Sequence, residues 1–283
     1  MITSYDRTYA RSEDTVNTAL ADGYRVLYHW QRFVPEWLER MLTTNSIYCS
    51  SPGSFNDPWD CRPYFNSDLL ADPAELEQHV AWAVDLCRRK TQMRAADIER
   101  MRQELVADPM RAAELISTIS AAMAPEIDRR YRVYCLGPDV GNLLMWSHYA
   151  ESHSGICLEF SLRNVVMCSA LRCEYVPAFP IMRLHDKSEA SDLRILLAKA
   201  DVWSYEKEYR LVAQERSEAI PGADTLLTDG GFLQYPQGAL TAIIVGCGGN
   251  VGVVQELVQR IAPGIPVKRA TKVPNRYELK LEG

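Results

Sequence analysis

Neither a C-x-x-C pair nor an H-E-x-x-H or H-x-H spacing occurs in the sequence, although it holds eight cysteines and five histidines. Zinc ribbons, thioredoxin-type redox pairs and helix-borne zinc proteases are therefore not written in it, and no metal is expected. The cysteines, Cys49, Cys61, Cys87, Cys135, Cys157, Cys168, Cys173 and Cys247, lie mostly among apolar neighbours and read as buried free thiols of a reducing compartment. No apolar run reaches the ~18 residues needed to span a bilayer, and the first thirty residues lack a basic, apolar, small-residue signal pattern. A cytoplasmic protein without membrane contact is expected. Basic charge is not in surplus either: 31 basic residues against 37 acidic leave −6, so any nucleic acid would have to be met by a local patch.

What is present suffices for a folded core. Hydrophobic residues make up 47% of the 283, and that length suits one large domain or a main domain carrying an insert. Residues 1–22 are polar and mixed and read as a loose N-terminal arm. Tyr24–Trp30 and Ser46–Ser51 read as strands around a short helix opened by Pro35, and the turn-rich Phe55-Asn-Asp-Pro-Trp-Asp60 reads as a constrained loop. From about 72 to 130 the period becomes helical. Asp72 caps, Pro73 takes the first position, Val80, Ala83, Val84 and Cys87 form an apolar stripe, and three successive helices are expected. Strands return at Arg132–Leu136, Gly155–Ser161, Leu171–Val176, Glu208–Ala213, Leu240–Val245, Ile265–Arg269 and Tyr277–Leu281, with helices at about 188–200 and 251–261. The predicted fold is α+β: a single domain over 23–283 with a mixed or split sheet and a helical subdomain inserted at about 72–130.

Three segments carry candidate chemistry. Gly246-Cys-Gly-Gly-Asn-Val-Gly252 follows a strand and opens a helix. Its third glycine is one residue late for a dinucleotide fingerprint and no suitably placed acid follows, so it reads as a tight turn needing positive φ. In Trp203-Ser-Tyr-Glu-Lys-Glu-Tyr-Arg210, Glu206, Glu208 and Arg210 fall on one face if the run is extended. That face is either a charge-paired sheet surface or a cleft in which a carboxylate steadies positive charge at the anomeric carbon of a sugar. Met145 to Gly155 gathers flat and polar side chains able to hold a planar ring: Trp146 and Tyr149 share a helix face, beside His148. Alternatively that face packs into the core. His29, between Tyr28 and Trp30, would need a partner if buried. Arg88, Arg89, Lys90 and Arg94 could meet phosphate or form a solvated face.

Phe55-Asn-Asp-Pro-Trp-Asp60, Met145 through Phe160, and Trp203 through Arg210 occur in the order and form that resemble a bacterial and phage-associated domain family of unknown function. That family is marked by F-N-D-P-[FW]-[DE], M-W-x-H-Y-A-x-x-H-x-G-x-C-x-E-F and W-x-Y-E-x-E-[YW]-R, and the resemblance spans about 24 to 282. More distantly, Tyr28-His29 on a first strand, Ser50-Ser51 on the next and a late E-x-E look like the layout of ADP-ribosyltransferases. That likeness implies NAD as substrate. His29 would hold its ribose, Ser50 and Ser51 would support the site, Trp146 or Tyr149 would stack, Glu208 would be catalytic and Glu206 would guide the acceptor.

The leading expectation is thus an NAD-consuming transferase or glycohydrolase acting on nucleic acid or protein, in a defence or toxin setting. Its cleft would join His29, Trp146, His148, Glu206 and Glu208, with Phe55, Asn56 and Asp57 in a wall. The alternative is a non-enzymatic module in which the same residues, with Tyr28, Tyr149 and Arg210, grip a nucleotide or partner. A metal-dependent nuclease would want Asp57, Asp60 and Glu159 clustered.

Overall fold

The computed structural model describes residues 17–186, 189–219 and 225–283, and the side chains of 187–192 lie outside that description. The chain forms two compact units. One comprises the described residues up to Ser51 with Arg130–Glu174 and Val202–Gly283, and the other comprises Pro52–Arg129 with Tyr175–Asp201. The secondary structure is α+β, as its patterning implies.

In the first unit the chain runs through β1 (Val26–Gln31), α1 (Pro35–Thr44), β2 (Ser46–Tyr48), β3 (Tyr131–Leu136), β4 (Ile156–Ser161) and β5 (Leu171–Arg172). The pair β6 (Glu174–Val176) and β7 (Ala198–Ala200) belongs, apart from Glu174, with the second unit. The first unit continues with β8 (Tyr209–Glu215), β9 (Leu226–Thr228), β10 (Phe232–Gln234), β11 (Leu240–Val245), β12 (Val267–Lys272) and β13 (Leu279–Glu282). One sheet has the order β1-β4-β11-β12-β13, antiparallel except between β11 and β12. A second has β3-β8-β5, with β9 parallel to β8, while β2 pairs β10. Tyr28 and Gly137 exchange backbone hydrogen bonds of 2.8 Å, joining the edge of the first sheet to the chain just beyond β3.

The near-continuous apolar run Leu240–Val245 forms a strand covered on both faces. Ile243 and Val245 join Leu158, Phe160 and Leu257 in one core cluster, while Ala242 and Ile244 join Tyr28, Trp30, Cys157 and Trp146 in another. Each such side chain contributes about 1.5–3 kcal/mol when fully buried. Of the expected loose arm, residues 1–16 lie outside the described residues. Thr18, Ala19 and Leu20, by contrast, are buried, and Thr18 bridges Leu171, because this short apolar run completes the core.

The second unit is mostly helical: α2 (Pro73–Lys90), α3 (Ala95–Ala107), α4 (Pro109–Ala121), α5 (Met123–Arg130) and, from the later segment, the short α7 (Glu189–Leu197). Asp72 caps α2 by accepting from Ala74 N, and Asp108 caps α4 by accepting from Arg111 N. Four helices replace the expected three because Pro125 has no N–H to continue α4. The unit also reaches beyond the expected insert, taking in residues 52–71 and 175–201.

In the first unit again, the glycine-rich turn before α8 (Val251–Ile261) works by close approach. Gly246, Gly248, Gly249 and Gly252 have no positive φ, correcting the expectation of a left-handed turn. A Cβ on Gly246 would instead collide with the His153 carbonyl, and one on Gly249 would meet Ser154 O at 2.7 Å. The left-handed residues are opposite, at Glu151, Ser152 and His153, with φ of 49°, 50° and 69°. Gly246→Ala is expected to destabilise the protein by about 1–3 kcal/mol in urea denaturation. Gly264→Ala, where an added Cβ meets nothing within 4 Å, should be nearly silent.

Candidate functional site

The E-x-E segment does not run extended. Asp201–Glu206 forms a 3-10 turn, and Lys207 has φ of 47°, so Glu206 leaves the face that Glu208 and Arg210 share. Glu208 accepts from Arg210 Nε at 2.9 Å and Nη2 at 3.0 Å, and the two residues are 2% and 0% exposed. This is a closed, two-pronged ion pair inside the β3-β8-β5 sheet. Glu208 as catalyst and Arg210 as ligand contact are thereby corrected: both are occupied in holding β8.

His29, half-buried on β1, is engaged as well. Its Nδ1 bonds Cys135 O at 2.8 Å and its ring stacks on Tyr134 with centroids 4.1 Å apart. Burial pulls the imidazole down to about 4, only partly opposed by that hydrogen bond. Trp146 is fully buried and donates Nε1–H to Val140 O at 2.6 Å, so it packs the core instead of stacking on a ligand. Ser50 exchanges backbone hydrogen bonds with Val133, and Ser51 is half-buried at the unit's edge. Tyr28 is buried beside Glu159 across the β1–β4 register, and burial first, then the Glu159 charge, raises its phenol to about 12. Glu159 itself accepts from Thr241 Oγ1 at 2.8 Å and Lys268 Nζ at 3.4 Å.

The remaining candidates do come together. Tyr149, in α6 (Leu143–Tyr149), donates its hydroxyl to Glu206 Oε1 at 2.7 Å. His148 is exposed on the same helix. Its ring lies 6.2 Å from that of Tyr149 and 6.4 Å from Tyr205, which in turn is 6.1 Å from Trp203. Asn142 fixes this arrangement: its Oδ1 caps α6 by accepting from Leu144 N, while its Nδ2 donates to Tyr205 O at 2.8 Å. Behind the turn, a Cβ at Gly137 would meet the Trp30 ring at 3.0 Å and Glu206 O at 3.3 Å. The indole Nε1 of Trp30 is buried without a hydrogen-bond partner among the described residues. A buried carboxylate bonded to one of four neighbouring half-open or open rings can orient a flat, hydrogen-bonding molecule. Tyr205, Trp203 and Asn142 were missed by sequence reasoning, although all three stand in or beside the motifs it singled out.

Phe55, Asn56 and Asp57 belong to the second unit. Asp57 Oδ1 accepts from Trp59 N at 2.9 Å, the expected self-bonded turn, and Trp59 is 66% exposed. Asp57, Trp59, Asp60, Phe179 and Lys199 line a cavity of about 230 Å³ in that unit, with Asp60 and Lys199 paired at 3.9 Å. Arg89 and Arg94 pair with Asp85 and Asp97 on open helix surface, so this stretch is a solvated face. The acid cluster a nuclease would need is not assembled: the described residues able to group around a metal ion are Glu75, His79 and His185. In the first unit, a groove of about 490 Å³ lined by Arg40, Arg216 and Phe232 includes no residue chosen from sequence. No family model matches the chain, and no curated protein or solved structure is found similar to it.

Glu208→Ala is expected to take away the carboxylate that meets Nε and Nη2 of buried Arg210, lowering stability by about 3–5 kcal/mol in denaturant titration. For His29, whose folded value lies below its ordinary one, the unfolded chain takes up the proton first on acidification. The stabilisation from this group is thus intact above pH 6.5 and drains away as pH falls towards 4. The loss is about 3 kcal/mol, and His29→Gln should flatten that part of the stability–pH curve.

Proposed function

We propose that the first unit binds a nucleotide through the planar ring of its base or nicotinamide. The row formed by Tyr149, His148, Tyr205 and Trp203 receives the ring, and Glu206 fixes its polar edge. The observation that carries this reading is the 2.7 Å hydrogen bond from Tyr149 to buried Glu206 beneath aromatic surface that stays accessible. Aromatic faces supply stacking that tolerates many heterocycles, and one carboxylate adds direction by accepting from ring or exocyclic N–H groups.

A second reading keeps NAD as a substrate that is cleaved, with Glu206 in the role first expected of Glu208. It is supported by the position of Glu206: a carboxylate beside a ring-binding surface can bond a ribose hydroxyl and steady an oxocarbenium as nicotinamide departs. The transferred ADP-ribose would then pass to water, protein or nucleic acid.

Calorimetric titration with NAD, ADP-ribose and adenosine monophosphate tests the binding, and chromatography for released nicotinamide tests the cleavage. Tyr149→Phe should weaken binding about 3–10-fold and Glu206→Gln about 10–100-fold, with the fold retained by circular dichroism. Saturable binding without nicotinamide release identifies a binding module. Release abolished by Glu206→Gln identifies the enzyme. Failure of all three ligands to bind at millimolar concentration overturns both readings.

A further inference from the structure

We propose that Glu75, His79 and His185, in the second unit, form a binding site for one divalent transition-metal ion of the zinc class. Glu75 and His79 stand one helical turn apart on α2, and His185 comes from the segment that follows the Tyr64–Ile181 bridge. Glu75 Oε2 lies 3.5 Å from His79 Nδ1 and 3.1 Å from His185 Nε2, and the three residues' ligand atoms all lie within 4.8 Å of one another. A tetrahedral zinc ion with bonds of about 2.0–2.2 Å places its ligand atoms about 3.3–3.5 Å apart. The two measured separations are therefore close to the edges of such a tetrahedron before any side chain moves.

The surroundings orient the donors. Arg183 donates from Nε to Glu75 Oε1 at 2.6 Å, which occupies one carboxylate oxygen and leaves the other facing both imidazoles. The His79 side chain is fully buried, with its ring 5.4 Å from that of Phe65 and 4.6 Å from that of His185. The side chains of Glu75 and His185 are 17% and 21% exposed. One anchored ligand and two that reach water leave a fourth position open to solvent, as in zinc sites that hold a water or a small exogenous ligand. Two imidazole nitrogens with one carboxylate oxygen favour zinc over magnesium or calcium, which take oxygen donors.

Binding at His79 Nδ1 requires a change of tautomer. That nitrogen now bonds the Glu75 carbonyl at 2.8 Å, and Leu184 N–H reaches Nε2 over 3.4 Å. The proton on Nδ1 must pass to Nε2, so the ring stays neutral while these two hydrogen bonds are exchanged for one metal bond.

The test uses the full chain stripped of metal by chelator, then titrated with Zn²⁺ by calorimetry and with Co²⁺ by absorption spectroscopy. One ion per chain should bind with micromolar or tighter affinity. Co²⁺ should give the visible bands of a four-coordinate nitrogen–oxygen site without a near-ultraviolet thiolate band. His185→Ala removes a part-exposed ligand, and Glu75→Gln is its near-isosteric counterpart on the helix. Each should weaken zinc at least tenfold while circular dichroism stays unchanged. Absence of uptake, uptake unaffected in both variants, or a cobalt spectrum dominated by thiolate from the free cysteines would each overturn the site.

Discussion

A guanidinium sealed from water is the constraint around which the first unit is arranged. Arg210 lies on β8, opposite Cys135 of β3 and Leu171 of β5, with no solvent access. An ionised group in that position costs several kcal/mol unless its charge and donors are met, and Glu208 meets them with both oxygens. Neither strand neighbour is charged, so the carboxylate just before β8 serves the sheet. Any chemistry of this unit has to be sought away from that pair.

Glu206 stands apart from that pair because the backbone turns between the two acids. Lys207 takes a left-handed conformation, which is uncommon for a side chain of its kind, and a 3-10 turn precedes it. Asn142 ties that turn to the start of α6 through one side chain that accepts at one end and donates at the other. The aromatic row and the buried carboxylate are thus held by two elements distant in sequence. Such a coupling positions a site more firmly than either loop alone would.

Much of the fold was legible because its signals are local. Leu240–Val245 and Val251–Ile261 appear with the limits that their apolar run and helical period imply, and the Asp72-Pro73 pair marks a helix start through a cap that forms as expected. Leu226–Thr228 and Phe232–Gln234 were not legible, being three residues each and too short to display a period. The site was read less well. Alternation in Glu206, Glu208 and Arg210 implies one face only if the chain is extended, and nothing in a lysine announces a positive φ. Trp146 and His29 have residue types suited to a ligand, yet their hydrogen bonds to Val140 O and Cys135 O depend on folding that no local pattern encodes. Glu75 and His79 show a helical i, i+4 spacing, but the histidine that joins them stands 110 residues beyond Glu75.

The turn at Lys207 also bears on how kindred sequences should be compared. A reader aligning them would treat the two glutamates as halves of one signature. Their obligations differ: Glu208 answers to the arginine two residues on and should vary only in concert with it, whereas Glu206 answers to the tyrosine hydroxyl of α6. Lineages that lost that tyrosine would be free to rewrite the earlier acid while sparing the later one, so divergence within a three-residue motif becomes a record of which partner was given up.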